Sequence, residues 1–109
     1  MIVYLDKPAT KEEIKSAREE FGIYIKITID ILKGVCTLGG KLHADGKKFL
    51  IEKGSKQENI WGGGYDIKSG RIDSQAVINI RPGKGNDSME ILDPNIRKNF
   101  LSLAKKFLK

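Results

Sequence analysis

The chain contains one histidine, His43, which stands two residues before Asp45 in the stretch GGKLHADG. In an extended chain, residues two apart point to the same side, so this imidazole and carboxylate could act together on a substrate or a metal ion. Zinc needs more ligands than His43 and the single cysteine, Cys36, can supply, so no metal site is expected. His43 alone could still act as a catalytic acid or base in metal-independent, ribonuclease-like chemistry. The alternative is that Asp45 caps a helix over residues 47–53 and that His43 is structural or merely exposed.

The stretch NIRPGKGND, from Asn79 to Asp87, is a basic loop that contains two glycines. Arg81 can present its guanidinium group to a phosphate or a carboxylate, and Gly83 and Gly85 would let backbone amides approach an anion. Neither the Walker spacing nor the glycine pattern of a dinucleotide fold is present, so no nucleotide cofactor is expected. The alternative is that Arg81 pairs with an acid across the sheet and that the glycines only shape a turn.

The stretch GSKQENIWGGGYD places cationic and amide side chains beside aromatic rings. Trp61, next to Lys56 and Gln57, could stack on a base of a single-stranded nucleic acid. The alternative is that Trp61 belongs to the core and that the three glycines mark a bulge, a bend or a close approach of another backbone or a ligand. Together with the basic loop, these residues form the predicted anion- or ligand-binding set: Arg81, Lys84, Lys56, Asn79, Gln57 and Trp61.

Length and composition predict one globular domain over residues 1–109, since the chain is 39% hydrophobic and 31% charged. No apolar run approaches the roughly 20 residues that a membrane helix needs, and the first ten residues lack the features of a secretory signal. With a single cysteine, these features predict a cytoplasmic protein that does not contact membranes. The net charge of +6 is compatible with RNA or another polyanion as partner, although lysine with glutamate enrichment is also typical of proteins from hot environments.

The first half of the chain predicts a strand over residues 2–5 and then a helix. Thr10 and Glu13 have the spacing of a capping box, and Gly22 is placed to end that helix after Phe21. The stretch GIYIKITIDIL alternates isoleucine with mostly polar residues, which predicts a strand with one buried face. A turn at Lys33-Gly34 then joins it to the strand VCTL in a hairpin.

The second half predicts two further strands, IWGGGYDI and RIDSQAVINIR, and a last helix that Asp93 caps and Pro94 begins. The resulting order is β-α-β-β-α-β-β-α, which predicts an α+β fold with a mainly antiparallel sheet and helices packed on one face. If the two long strands lie in one sheet, they form a polar face that is either wet or covered by a second subunit. The residues of that face are Lys26, Thr28, Asp30, Gln75, Asn79 and Arg81.

Four pieces of the sequence together resemble one known family. They are HAD from His43, GSKQ from Gly54 with Trp61-Gly62 shortly after, NIRP from Asn79 with Gly85-Asn86, and Asp93-Pro94 in the last helix. The chain resembles an uncharacterised family of small bacterial and archaeal proteins, catalogued as a domain of unknown function, over nearly its whole length. That resemblance implies no activity, substrate or cofactor.

Three functional hypotheses follow from the residues. The first is a binding module for a phosphate-rich partner such as RNA, using Arg81, Lys84 and Lys56 with help from Trp61. The second is a metal-independent hydrolase in which His43 is the acid or base and Arg81 stabilises the developing anion. The third is a self-assembling domain that buries its polar sheet face or its isoleucine surface against a copy of itself.

Overall fold

A computed structural model of the chain describes residues 2–18 and 22–109. The strands are β1 (Ile2–Leu5), β2 (Tyr24–Asp30), β3 (Val35–Gly39), β4 (Ile60–Asp66) and β5 (Ile72–Asp73), and the helices are α1 (Lys11–Ala17), α2 (His43–Glu52) and α3 (Pro94–Leu108). Short 3₁₀ turns occupy Gln57–Asn59, Val77–Asn79 and Pro82–Lys84. The strands form one sheet in the order β1-β3-β2-β4-β5, in which each neighbouring pair is antiparallel. The predicted α+β class and the predicted order of elements are confirmed.

The central hairpin of β2 and β3 forms as the alternating isoleucines predict. Ile25, Ile27 and Ile29 are at most 1% exposed and belong to the main apolar core. The hairpin turns at Gly34, whose φ of 70° lies in the left-handed region that favours glycine. The sheet is therefore arranged around a strand whose buried face is composed of isoleucine.

Helices α1 and α3 cover this isoleucine face. Phe100 of α3 is fully buried, and its ring lies 2.8 Å from the place that a Cβ on Gly63 would take. Gly63 is the register partner of Ile27, so both residues face α3. Ala17 of α1 belongs to the same core cluster.

Helix α2 lies on the opposite face of the sheet, which corrects the prediction that helices pack on one face only. A Cβ on Gly46 of α2 would lie 2.5 Å and 2.8 Å from the hydroxyl oxygens of Thr37 and Thr28, which are cross-strand neighbours. Small residues at these three positions allow the helix to approach the sheet closely. Of the predicted polar face, Thr28 lies under α2, and Thr28 and Asp30 are 1% and 0% exposed, whereas Lys26 and Arg81 are partly buried and Gln75 is exposed.

The predicted ends of the first and last helices are only partly correct. The capping box of α1 is confirmed, with the Glu13 amide donating to the Thr10 hydroxyl and the Thr10 amide donating to the Glu13 carboxylate. However, α1 ends at Ala17, before the predicted stop at Gly22, and Phe21 lies outside the described residues. Asp93 caps α3 as predicted and accepts from two amides of its first turn. Among the described residues no helix is both long and apolar enough to cross a membrane.

The start of α2 differs from the prediction by several residues. The helix begins at His43 with Leu42 as its N-cap, and Asp45 lies in the first turn, where its carboxylate accepts from the Leu42 amide at 3.1 Å. Asp45 therefore still satisfies an amide at the helix start, but from within the helix. Gly54 ends the helix region as predicted, with a φ of 100°.

The predicted long strand over residues 71–81 is wrong beyond Asp73. β5 pairs only with Gly64 and Tyr65 of β4. The chain then leaves the sheet, pairs at Gln75 in a single bridge with Glu90, and enters the 3₁₀ turn Val77–Asn79. Polar and apolar residues still alternate in the sequence of this segment, but its backbone has no neighbouring strand with which to pair.

Each of the three consecutive glycines in β4 accommodates a neighbour. A Cβ on Gly62 would lie 3.0 Å from His43 and from Ile78, and a Cβ on Gly63 would meet the Phe100 ring. On Gly64 it would collide with the ring of Tyr24. The close approach expected at these glycines is therefore made by the same chain, through side chains on both faces of the sheet and, at Gly63, also through the backbone carbonyl of Asp73.

Candidate anion-binding groove

A groove of about 780 Å³ lies where the first residues of β4 meet the basic loop. Its walls come from the 3₁₀ turn before β4, from β4 itself and from the loop after residue 79. The lining residues are Lys56, Gln57, Glu58, Trp61, Ile80, Arg81 and Lys84. Of the six residues that the sequence predicts to bind a ligand, five therefore meet in one place: Lys56, Gln57, Trp61, Arg81 and Lys84.

Asn79, the sixth predicted residue, does not line the groove but is bonded to the backbone of β4 beside it. β5 leaves the outer edge of β4 unpaired at Gly62, and the Asn79 side chain takes the place of a strand there. Its oxygen accepts from the Gly62 amide at 2.9 Å, and its NH₂ group donates to the Gly62 carbonyl at 2.9 Å. Further carbonyls, of Ser74 and Met89, lie within 3.2 Å of the same nitrogen. Because Asn79 is fully buried and its amide is fully used, the prediction that it contacts a ligand is wrong.

A second buried asparagine, Asn86, closes the loop that carries Arg81 and Lys84. Its NH₂ group donates to the carbonyls of Asn79, Ser88 and Glu90 at 2.8–3.0 Å. Its backbone pairs with that of Arg81 in both directions. This role of Asn86 was not predicted from the sequence. The sequence feature that could have indicated it is an asparagine directly after Gly85, whose φ of 79° forms the turn.

Arg81 is held in place by backbone carbonyls. Its guanidinium group donates to the carbonyls of Ile78, Glu58 and Ile60. Its central carbon lies over the Trp61 ring, 4.2 Å from the ring centre, which is within the range of a cation–π interaction. The remaining N–H donors of the group are left for another partner.

Trp61 supports Arg81 instead of contacting a ligand with its ring face. The indole is 6% exposed and belongs to the main core cluster, as the alternative reading of Trp61 predicts. Since Arg81 covers the ring at the groove, a base cannot stack directly on the indole there.

The positive charge of Arg81 is not neutralised by an acid among the described contacts. Burial lowers the pKa of Arg81, and no carboxylate opposes that lowering. Burial and then the charge of Arg81 lower the pKa of Lys47, a half-buried lysine of α2. In the part of the chain that the structure describes, the prediction that Arg81 pairs with an acid across the sheet is therefore wrong, and no acid there acts as counter-ion to this half-buried cation.

Lys84 lies at the tip of the closed loop, in the 3₁₀ turn Pro82–Lys84. The amides of Lys84 and Asn86 donate to the Arg81 carbonyl, and the amide of Gly85 donates to the Pro82 carbonyl. These amides are therefore used within the loop and do not form the amide cradle that the glycines suggest. An anion in the groove would be met mainly by side chains.

Lys56 and Gln57 are presented by the turn that leads into β4. The Asn59 amide donates to the Lys56 carbonyl, and the Asn59 carbonyl accepts from the Ile31 amide. Both side chains are exposed. Glu58, from the same turn, is the one acid in the lining, and neither it nor Ile80 was singled out by the sequence.

His43 lies against the sheet, and it is not one of the residues that line the groove. Its Nε2 is 2.6 Å from the Gly63 carbonyl. Because a carbonyl can only accept, Nε2 carries the proton and Nδ1 is the free acceptor of a neutral ring. Burial, and then the charge of Lys26, lower the pKa of His43, while the Gly63 contact and Asp73 act in the opposite direction. His43 and Arg81, which the hydrolase hypothesis places in one site, therefore do not line the same groove.

No group of three or more histidine, cysteine, aspartate or glutamate side chains in the described part of the chain could hold a metal ion.

No curated protein and no solved structure matches the chain. A family model does match, over residues 3–107, which is nearly the whole sequence. The chain therefore belongs to the family described as "Protein of unknown function (DUF5674)".

Proposed function

We propose that this protein is a binding module for a phosphate-rich partner, with RNA as the expected partner, and that the groove around Arg81 is its binding site. The observation that carries the proposal is the surroundings of Arg81, a half-buried cation whose guanidinium group contacts backbone carbonyls and no carboxylate among residues 2–18 and 22–109. A protein interior disfavours such an unpaired charge, and an anion that occupied the groove would supply the missing counter-ion.

The other cations of the groove support the same reading. Lys56 and Lys84 come from two different segments of the groove wall and are both exposed, whereas Glu58 is the only acid among the lining residues. Three cations against one acid give the groove a positive potential, and positive charge from two segments suits a chain of phosphates.

The test is binding of mixed-sequence RNA at low salt to the wild type and to the double variant Lys56→Gln/Lys84→Gln. Neither lysine makes a contact that holds the groove together in the described structure, so the variant should fold normally. We expect its affinity to fall about tenfold and the slope of log K against log salt to decrease by roughly 1.4, the value for two lost phosphate contacts on a single strand.

The matched control is Lys68→Gln/Lys105→Gln, which removes the same net charge at exposed positions outside the groove. It should bind RNA with nearly the affinity and salt slope of the wild type. Absence of salt-dependent RNA binding by the wild type, or an equal loss in both double variants, would refute the proposal.

A further inference from the structure

The lining of the groove is more varied than a site for phosphate alone requires. Beside its cations it contains an amide, Gln57, a carboxylate, Glu58, and an apolar side chain, Ile80, that is 43% exposed. A carboxylate opposes phosphate binding, but it accepts hydrogen bonds from the amino groups of bases. The lining therefore suits a ligand that has an anionic part and a flat part with hydrogen-bonding edges.

Arg81 provides a flat, fixed surface inside this groove. Three backbone carbonyls accept from the guanidinium group, and its central carbon lies over the buried Trp61 ring, 4.2 Å from the ring centre. The arginine lines the groove and is only half buried, so part of the group on the side away from Trp61 can be reached from the cavity. Guanidinium planes, like aromatic rings, are surfaces on which unpaired bases stack in protein–RNA complexes.

We infer that the groove binds an unpaired nucleotide of single-stranded RNA. The base stacks on the guanidinium plane of Arg81, which Trp61 supports from behind, and Gln57 and Glu58 face the base edges. The flanking phosphates meet Lys84 and Lys56. This inference rests on the proposed function and narrows it, because a paired base inside a duplex is not available to enter a concave groove.

The preference for bases is tested with three ligands of equal length: a mixed-sequence single-stranded RNA, the corresponding duplex, and an abasic strand that keeps the sugar–phosphate chain. Their binding to the wild-type protein is measured by fluorescence polarisation at one low salt concentration. We expect the single strand to bind at least about tenfold more tightly than the duplex or the abasic strand.

The Arg81→Lys variant separates stacking from charge. Lysine keeps the positive charge but has no plane, so the variant should lose the preference for the single strand over the abasic strand. A lysine side chain at this position cannot reproduce all three carbonyl contacts, so the fold of the variant is checked first by circular dichroism. If the variant does not fold, the comparison of the three ligands on the wild type still decides the matter.

Two results would overturn the inference, and they differ in what they imply for the proposed function. Equal binding of the three ligands would remove base stacking and leave a general polyanion site. Absence of binding to all three would remove the proposed function as well.

Discussion

At the scale of single residues, polar and charged side chains of this protein have two kinds of role. Some line the groove, and others hold the backbone in place by hydrogen bonds. Arg81 and Asn79 are two residues apart, and both look like ligand contacts in the sequence. In the structure Asn79 is fully buried and substitutes for a strand at Gly62, whereas Arg81 lines the groove. Residue type could not separate these roles, because the difference depends on where β5 stops pairing with β4.

His43 gives a pH prediction at the same scale. Its pKa is lowered mainly by burial, so the folded protein binds the proton less readily than the unfolded chain, whose histidine titrates near pH ~6.5. The histidine therefore leaves the free energy of unfolding unchanged well above that pH. As the pH falls through ~6.5 toward the folded pKa, the free energy of unfolding decreases, because the unfolded state takes up the proton first.

Urea denaturation at several pH values between about 5.5 and 8 measures this dependence, because that range spans the ordinary histidine pKa of about 6.5. The His43→Gln variant is the control, since glutamine keeps a donor for the Gly63 carbonyl but does not titrate. The wild type should lose stability toward the acidic end more steeply than the variant. Parallel curves for the two proteins would show that His43 is not responsible.

At the scale of elements, β4 is the strand that brings the groove and the core together. Its first residues carry Trp61 into the core, and its glycines let Phe100 and His43 approach from opposite faces. The sequence correctly predicts a strand with close approaches here. It could not predict that the neighbours are side chains of the same chain, since these come from segments far apart in the sequence.

Gly63→Ala tests this account of β4. The new methyl group would lie 2.8 Å from the Phe100 ring and would also collide with the Asp73 carbonyl. We expect the free energy of unfolding to fall by about 3 kcal/mol, the upper range for overpacking a core. The measurement is chemical denaturation followed by tryptophan fluorescence.

Gly83→Ala is the matched control for that experiment. A Cβ on Gly83 meets nothing within 4 Å, and its φ is not in the left-handed region. Its stability should remain within about 0.5 kcal/mol of the wild type. If Gly63→Ala were as stable as Gly83→Ala, the tight packing of β4 against α3 would be contradicted.

At the scale of the whole molecule, the local patterns predicted most of the architecture. The isoleucine alternation of β2, the capping box at Thr10 and the cap at Asp93 all depend on neighbours in sequence, and the structure confirms them. The position of α2 on the second face and the end of β5 depend on contacts between distant segments. For the same reason the sequence could indicate five groove residues without predicting that Asn79 would be fully buried and that His43 would not line the groove.

We propose that the groove around Arg81 is the surface that binds a nucleic acid strand. The most direct test is the ¹H–¹⁵N spectrum of the wild-type protein during titration with a short single-stranded RNA at low salt. We predict that the largest shifts occur at the indole N–H of Trp61, the Nε–H of Arg81 and the amides of residues 56–58 and 80–85, with α3 nearly unchanged. Shifts concentrated in the basic end of α3, or no shifts at all, would contradict this account.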